Sequence, residues 1–249
     1  MAVEEIQALE VDQLSVVYNK IPVLWDLHLS IPKGQLVGIL GPNGAGKSTF
    51  LKALLGMVKP ISGRVKFLQK TYKEMQKSIA YVPQRSAVDW DFPVSVKDVV
   101  SMGCYGRRGL FQRLQKEDLA LIEEALAQVG LEALANRQIK DLSGGQQQKT
   151  FIARALVQKA DLYFLDEPFA GVDITTEKTI LDILKGLKKE EKTVFVVHHD
   201  LHCVREYFDY VVLLNTTLVA SGPVEEVFCK ENLLKAYGEH LFFSDFTGL

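Results

Sequence analysis

Residues Gly41-Pro42-Asn43-Gly44-Ala45-Gly46-Lys47-Ser48 set three glycines, a lysine and a hydroxyl in the spacing G-x-x-x-x-G-K-[ST]. Glycine tolerates positive φ, so successive N–H groups of such a loop can turn inward around phosphate oxygens. The loop follows a short apolar run, residues 35–40, and enters residues 47–55, whose apolar spacing is helical, so a helix N-terminus adds its dipole to the cradle. Lys47 then supplies a cation to β- and γ-phosphates, and Ser48 an oxygen for Mg²⁺. The chemistry this implies is nucleotide binding, with hydrolysis left open.

Hydrolysis needs a second, acidic element. Leu162-Tyr163-Phe164-Leu165-Asp166-Glu167-Pro168 provides one: an apolar strand whose carboxyl end delivers two consecutive carboxylates to the edge where α/β sheets hold ligands. There Asp166 can orient Mg²⁺ through water, and Glu167 can orient or deprotonate an attacking water. The plain alternative is a strand ending at a solvated turn. A third string, Leu142-Ser143-Gly144-Gly145-Gln146, opens a helix expected to carry Phe151, Ile152, Ala155 and Leu156 on one face, with Ser143 as N-cap. Its two glycines let backbone N–H groups approach an anion closely; the alternative is an ordinary capped helix.

The elements that must position these residues read as α/β. Residues 8–18 and 24–31 alternate like antiparallel strands, with Pro32-Lys33-Gly34 as the following turn. Apolar runs at 35–40, 78–82, 162–165, 194–197 and 211–214 read as buried strands, with helical patterns around them, as a largely parallel sheet requires. From 86 to 158 the strand signal disappears. Leu119, Ile122, Leu126 and Val129 recur there at helical spacing, which predicts an inserted helical lobe. Residues 103–113, rich in Gly and Arg, read as an exposed loop of that lobe. Phe242-Phe243 reads as a packed end before a loose tip at 244–249.

Composition narrows the function classes. With 29 Lys plus Arg against 31 Asp plus Glu, the formal net charge is −2, which lacks the general electrostatic attraction that nucleic-acid binding uses. Cys104, Cys203 and Cys229 form no paired or metal-ligand spacing and fit a reducing compartment. Glu4, Glu5 and Glu10 argue against a secretory signal, and no apolar run approaches the roughly 20 residues a spanning helix needs. Attachment to a membrane is therefore expected to come through a partner chain.

The string around Ser143, together with the phosphate loop and the Asp166-Glu167 pair, resembles the ATP-binding-cassette (ABC) ATPases over nearly the whole chain. The resemblance implies a P-loop NTPase core with a mostly parallel sheet, an N-terminal antiparallel β subdomain and an inserted helical subdomain. It divides the single domain 1–249 into a core of 1–85 and 159–249 and a helical part of 86–158. It implies ATP contacts at Tyr18, Gly41, Asn43, Gly44, Gly46, Lys47, Ser48 and Thr49. Mg²⁺ contacts follow at Ser48, Gln84 and Asp166, and hydrolytic roles for Glu167 and His199. Ser143, Gly144, Gly145, Gln146 and Asp173 would act on the nucleotide of a second copy, in a head-to-tail homodimer.

Several of these positions keep a plainer reading beside the functional one. Tyr18 stacks on adenine or is a strand tyrosine packed in a core. Asp173 crosses to the second copy or caps a helix. In His198-His199-Asp200, the ring before the aspartate is the expected switch, although His198 stands where threonine is more usual; His202 and Cys203 lack the further ligands of a metal site.

Asp89-Trp90-Asp91-Phe92-Pro93-Val94, Gly106-Arg107-Arg108-Gly109-Leu110-Phe111 and Phe169-Ala170-Gly171-Val172-Asp173 look like the manganese/zinc/iron importer branch. Cys104 and Lys149 depart from it, and Trp90 and Phe92 would equally serve lobe packing. The branch implies a polytopic membrane permease and a solute-binding protein as partners, no nucleic acid, and a peripheral place on the cytoplasmic face of a bacterial inner membrane. Non-transport ABC ATPases of DNA repair or translation are the rival class. They resemble the chain at the site, but carry a long coiled-coil insertion or two cassettes, and neither is present here.

Overall fold

The computed structural model describes residues 6–108 and 113–238. Gly109, Leu110 and Phe111 of the second branch string, and the end at 242–249, lie outside them. Nine strands are described: β1 (Gln7–Tyr18), β2 (Ile21–Pro32), β3 (Leu36–Leu40), β4 (Ser62–Phe67), β5 (Ile79–Val82), β6 (Leu162–Asp166), β7 (Thr193–Val197), β8 (Tyr210–Asn215) and β9 (Thr217–Pro223). The chain divides into two compact units, residues 1–75 with 188–249, and residues 76–187.

In the first unit β3 pairs in parallel with β7 on one side and β8 on the other, and β9 closes against β8 antiparallel. All five residues of β3 and of β7 are buried, which is why both read as unbroken apolar runs. The same unit holds an antiparallel sheet in the order β2-β1-β4. Residues 8–18 and 24–31 fall in β1 and β2 as expected. β4 (SGRVKF) and β9 (TLVASGP) carry no alternation a sequence could show, being mostly exposed or half-exposed strands rich in Ser, Gly and Lys.

In the second unit β5 and β6 pair in parallel. Helices Val96–Ser101 and Lys116–Val129 pack on helix Gly144–Val157. The buried stripe of Lys116–Val129 is Ile122, Ala125, Leu126 and Val129; Leu119 is left exposed, because the stripe turns through Ala125 instead. Helix Gly144–Val157 is buried on most of its circumference, Gln147, Gln148 and Thr150 included, rather than on the single face the apolar residues mark; Leu156 is half-buried.

One expectation is overturned. Gly103 and Cys104 are not an exposed loop but a buried helical turn, followed by a short helix Tyr105–Arg108. The reason is contact: a Cβ on Gly103 would stand 2.2 Å from the Arg154 carbonyl oxygen, so glycine is there for close packing rather than for flexibility. Gly103→Ala is accordingly expected to destabilise the protein by about 2–3 kcal/mol, the usual cost of overpacking against a backbone atom. Urea unfolding of the two proteins measures this, and equal midpoints would contradict it.

Candidate functional site

The phosphate loop leaves the buried end of β3 and enters helix Lys47–Leu54 through Gly46, which has φ 93° and offers no side-chain cap. A Cβ there would lie 2.6 Å from Leu24 Cδ2 and 2.8 Å from the Val23 carbonyl oxygen, so only glycine lets β2 press this close to the turn. Gly46 itself gives the helix no side-chain cap, which suits its first N–H groups to an anion. Asn43 and Gly44 stand exposed at its rim, with open space around Gly44; Ser48 and Thr49 are half-buried. Lys47 is 7% exposed, and its Nζ donates to the Gly41 and Pro42 carbonyls at 2.7 and 3.0 Å. That grip fixes the ammonium beside the loop's N–H groups.

The turn between β8 and β9 holds the same loop from behind. Thr216 sits at φ 60°, an outlier for a β-branched residue. Its N–H donates to the Ala45 carbonyl at 3.2 Å, and its own carbonyl accepts from Trp25 N–H at 2.8 Å. Both bonds are backbone bonds, so no side-chain pattern announces them. Tyr18, at the end of β1, is 44% exposed, which removes the packed-core reading of its ring.

His198 and His199 follow β7 with their rings 5.9 Å apart, one buried and one exposed. His198 N–H continues the ladder by donating to the Ile39 carbonyl, and its ring is buried between Tyr207 and Phe208 with Nε2 3.1 Å from Cys203 Sγ. His199 is exposed. The exposed ring is the one expected as the switch; the other is a core residue. No cluster of three or more metal-ligating side chains exists among the described residues.

Burial, and then the neighbouring His199, push the His198 pKa down to about 4 from 6.5. Between these values the unfolded chain binds a proton that the folded chain refuses. The contribution is therefore complete above pH 6.5 and lost as pH falls towards 4, on the order of 3 kcal/mol in all. Unfolding free energies measured from pH 7 to 4.5 should fall more steeply for the native protein than for His198→Gln; parallel curves would refute this.

In the second unit β6 is buried throughout and Asp166 is 1% exposed. Burial and the neighbouring Asp166 carboxylate push the Tyr81 phenol up to about 12. Directly after β6, Glu167 takes a left-handed φ of 51°, which turns its side chain out of the strand's alternation. Its Oε2 accepts from Gln84 Nε2 at 2.8 Å. The structure thus brings Gln84 to Glu167, two residues whose separation in sequence gave no sign of contact.

Ser143 caps helix Gly144–Val157: its Oγ accepts from Gln146 N–H at 3.3 Å, while Gln146 Oε1 accepts from Ser143 N–H at 3.0 Å. Gly145 faces Thr176, whose Oγ1 would lie 3.0 Å from an added Cβ. Asp173 caps the helix Ile174–Lys189, accepting from Thr176 N–H at 2.9 Å and Thr176 Oγ1 at 2.8 Å, and these bonds hold its carboxyl below the usual range. Trp90 serves packing, edge-on to Phe151 at 5.2 Å, whereas Phe92 is 57% exposed.

Comparison with known proteins agrees with this geometry. The family model "ABC transporter" matches residues 24–170. The chain is 54% identical to the manganese transport system ATP-binding protein MntB of Bacillus subtilis, over 94% of each chain. It is 53% identical to the zinc transport system ATP-binding protein TroB of Treponema pallidum, over 93% of this chain and 87% of that one. Among solved structures it resembles cbiO1 of Clostridium perfringens, part of the ABC transporter complex cbiONQ, with a TM-score of 0.76 and 30% identity over 93% of this chain and 94% of that one. No helix of the described residues is long and apolar enough to cross a membrane. The match over residues 24–170 and the identity to these ATP-binding proteins show that the chain belongs to the ABC transporter family as an ATPase.

Proposed function

We propose that this chain is the ATP-hydrolysing subunit of an importer for a divalent transition metal: manganese, zinc or iron. The observation that carries the reading is near-full-length similarity to ATP-binding proteins of manganese and zinc transport systems, and the Gln84–Glu167 bond directly after buried Asp166 supports it. The chain works as a homodimer with a polytopic permease and a solute-binding protein, on the cytoplasmic face of a bacterial inner membrane. Residues 86–158 act as the inserted helical subdomain that meets the permease. A cleft of about 380 Å³, lined by Ser86, Val88 and Trp90 together with Gln84, Arg85, Ala170 and Gly171, lies beside the start of that subdomain.

Tyr18 stacks on the adenine, and the phosphates lie in the cradle of Gly41, Asn43, Gly44, Gly46, Lys47, Ser48 and Thr49. The cradle fits them because its N-cap, Gly46, contributes no side chain to the helix N-terminus. Ser48, Gln84 and Asp166 are the oxygen donors that would hold Mg²⁺, a hard cation that prefers such ligands. When bound, the cation neutralises phosphate charge. Glu167 accepts a proton from the attacking water, and His199 orients the terminal phosphate. Ser143, Gly144, Gly145 and Gln146, with Asp173 alongside, face the nucleotide of the second copy, so closure of the pair reports that both sites are filled.

The test is metal uptake in cells lacking the gene. Accumulation of radioactive manganese, zinc or iron should fall for one of the three and return with the native chain but not with Glu167→Gln. Unaltered uptake of all three would count against the reading.

A further inference from the structure

Arg85 carries an exposed guanidinium that none of the roles above uses. Its Nε donates to Gln147 Oε1 at 2.9 Å, and Gln147, itself buried, passes its Nε2 to the Ile139 carbonyl at 3.1 Å. The plane of the guanidinium lies against Gly144: a Cβ on that glycine would meet Arg85 Cζ at 3.0 Å and Nη1 at 3.1 Å. The Arg85 carbonyl accepts from Trp90 Nε1 at 2.9 Å, and Trp90 packs on Phe151 of the same helix. Arg85 therefore touches helix Gly144–Val157 at its first turn through Gly144 and Gln147, and again through Trp90 one turn further on.

These contacts make a poor stability device. A cation beside a helix N-terminus is electrostatically unfavourable, and neutral Gln147 offers no countercharge. No carboxylate pairs with Arg85 among the described residues. The neighbour of Arg85 in the chain supplies the reason for it. Gln84 is bonded to Glu167, and one peptide unit, about 3.8 Å between Cα atoms, separates Gln84 from Arg85. A displacement of Gln84 is carried directly to the guanidinium and from there to the helix start.

We propose that Arg85 is a positioning residue that ties the Gln84–Glu167 contact of one subunit to the aim of that subunit's own helix Gly144–Val157, and thereby couples the two nucleotide sites of the pair. The proposal rests on the two-copy reading above. A cation at this site would be held by the Gln84 carboxamide oxygen while its nitrogen stays on Glu167, and serving both partners at once draws Gln84 towards them. Arg85 moves with it, and the glycine face of the helix follows. Lysine is not an equivalent residue here, since it keeps the charge but has no planar fork to span Gln147 and Gly144.

The experiment compares Arg85→Ala, Arg85→Lys, Gln147→Met and the double variant Arg85→Ala/Gln147→Met in the full-length protein. Per-chain ATP affinity and melting temperature should stay near native values. The turnover number should drop about tenfold and the Hill coefficient for ATP should fall towards 1 in each single variant. The double variant should be no worse than Arg85→Ala alone, because both changes cut the same link. Native turnover and cooperativity in Arg85→Ala and Arg85→Lys would overturn the proposal, as would losses that multiply in the double variant. ATP-dependent dimerisation of Glu167→Gln, followed by sedimentation, separates the two failures. A monomer there removes the two-copy reading and the proposal with it, whereas a normal dimer together with Arg85 variants of native turnover and cooperativity removes the proposal alone.

Discussion

Glu167→Gln is expected to bind ATP as the native protein does and to hydrolyse it at least a hundredfold more slowly. The substitution preserves volume, and a glutamine oxygen can still accept the Gln84 Nε2 bond now made to Oε2. What disappears is the only group in the second unit that combines a carboxylate, an outward turn at φ 51° and a place directly after buried Asp166. A positioned general base contributes roughly 10²- to 10⁴-fold, so its removal acts on turnover and leaves the ground-state complex intact. Phosphate release and equilibrium nucleotide titration measure the two quantities separately. Unchanged hydrolysis would remove Glu167 from the mechanism.

Lys47→Ala should show the opposite division, with nucleotide affinity lost by about a hundredfold before turnover can be considered. The side chain supplies the cation of the cradle, and its ammonium also ties the Gly41 and Pro42 carbonyls, so truncation removes the charge and loosens the loop together. Each charge-assisted hydrogen bond lost is worth about 1.5–3 kcal/mol, which brackets that factor. Lys47→Arg is no rescue, because the site buries the lysine to 7% exposure and has no room for a wider fork. Calorimetric titration with ATP gives the answer, and a native isotherm for Lys47→Ala would end the phosphate-loop assignment.

Both predictions concern residues that a reader of the sequence could find, and the reason is physical. β3, β6 and β7 are buried on both faces, so their composition is mostly apolar, and each ends beside residues proposed to do chemistry. The adjacent histidines are harder to separate, because their rings lie 5.9 Å apart and only the packing of His198 on Tyr207 and Phe208 leaves His199 as the exposed one. Legibility stops where the cause lies across the fold. Gly103 looks like loop material until the Arg154 carbonyl is known to press on it. Arg85 has its partners about sixty positions away, at Gly144 and Gln147, and no local pattern joins them. Thr216 acts through its backbone alone, which side-chain identity does not encode. β4 and β9 escape for a simpler reason, since β4 is mostly exposed and polar, β9 is half-buried along most of its length, and neither has the hydrophobic period on which strand reading depends.

The left-handed backbone at Glu167 has a consequence for the history of such chains. A glutamate held there costs roughly 1 kcal/mol or more, a cost that glycine, and to a lesser degree asparagine, would not incur. Selection for thermal survival alone would therefore replace this residue early, and the product would be a sturdier protein that still holds ATP and no longer splits it. On the role proposed for Glu167, a related chain that carried glycine or asparagine there would be expected to hold nucleotide as a scaffold rather than work as a motor.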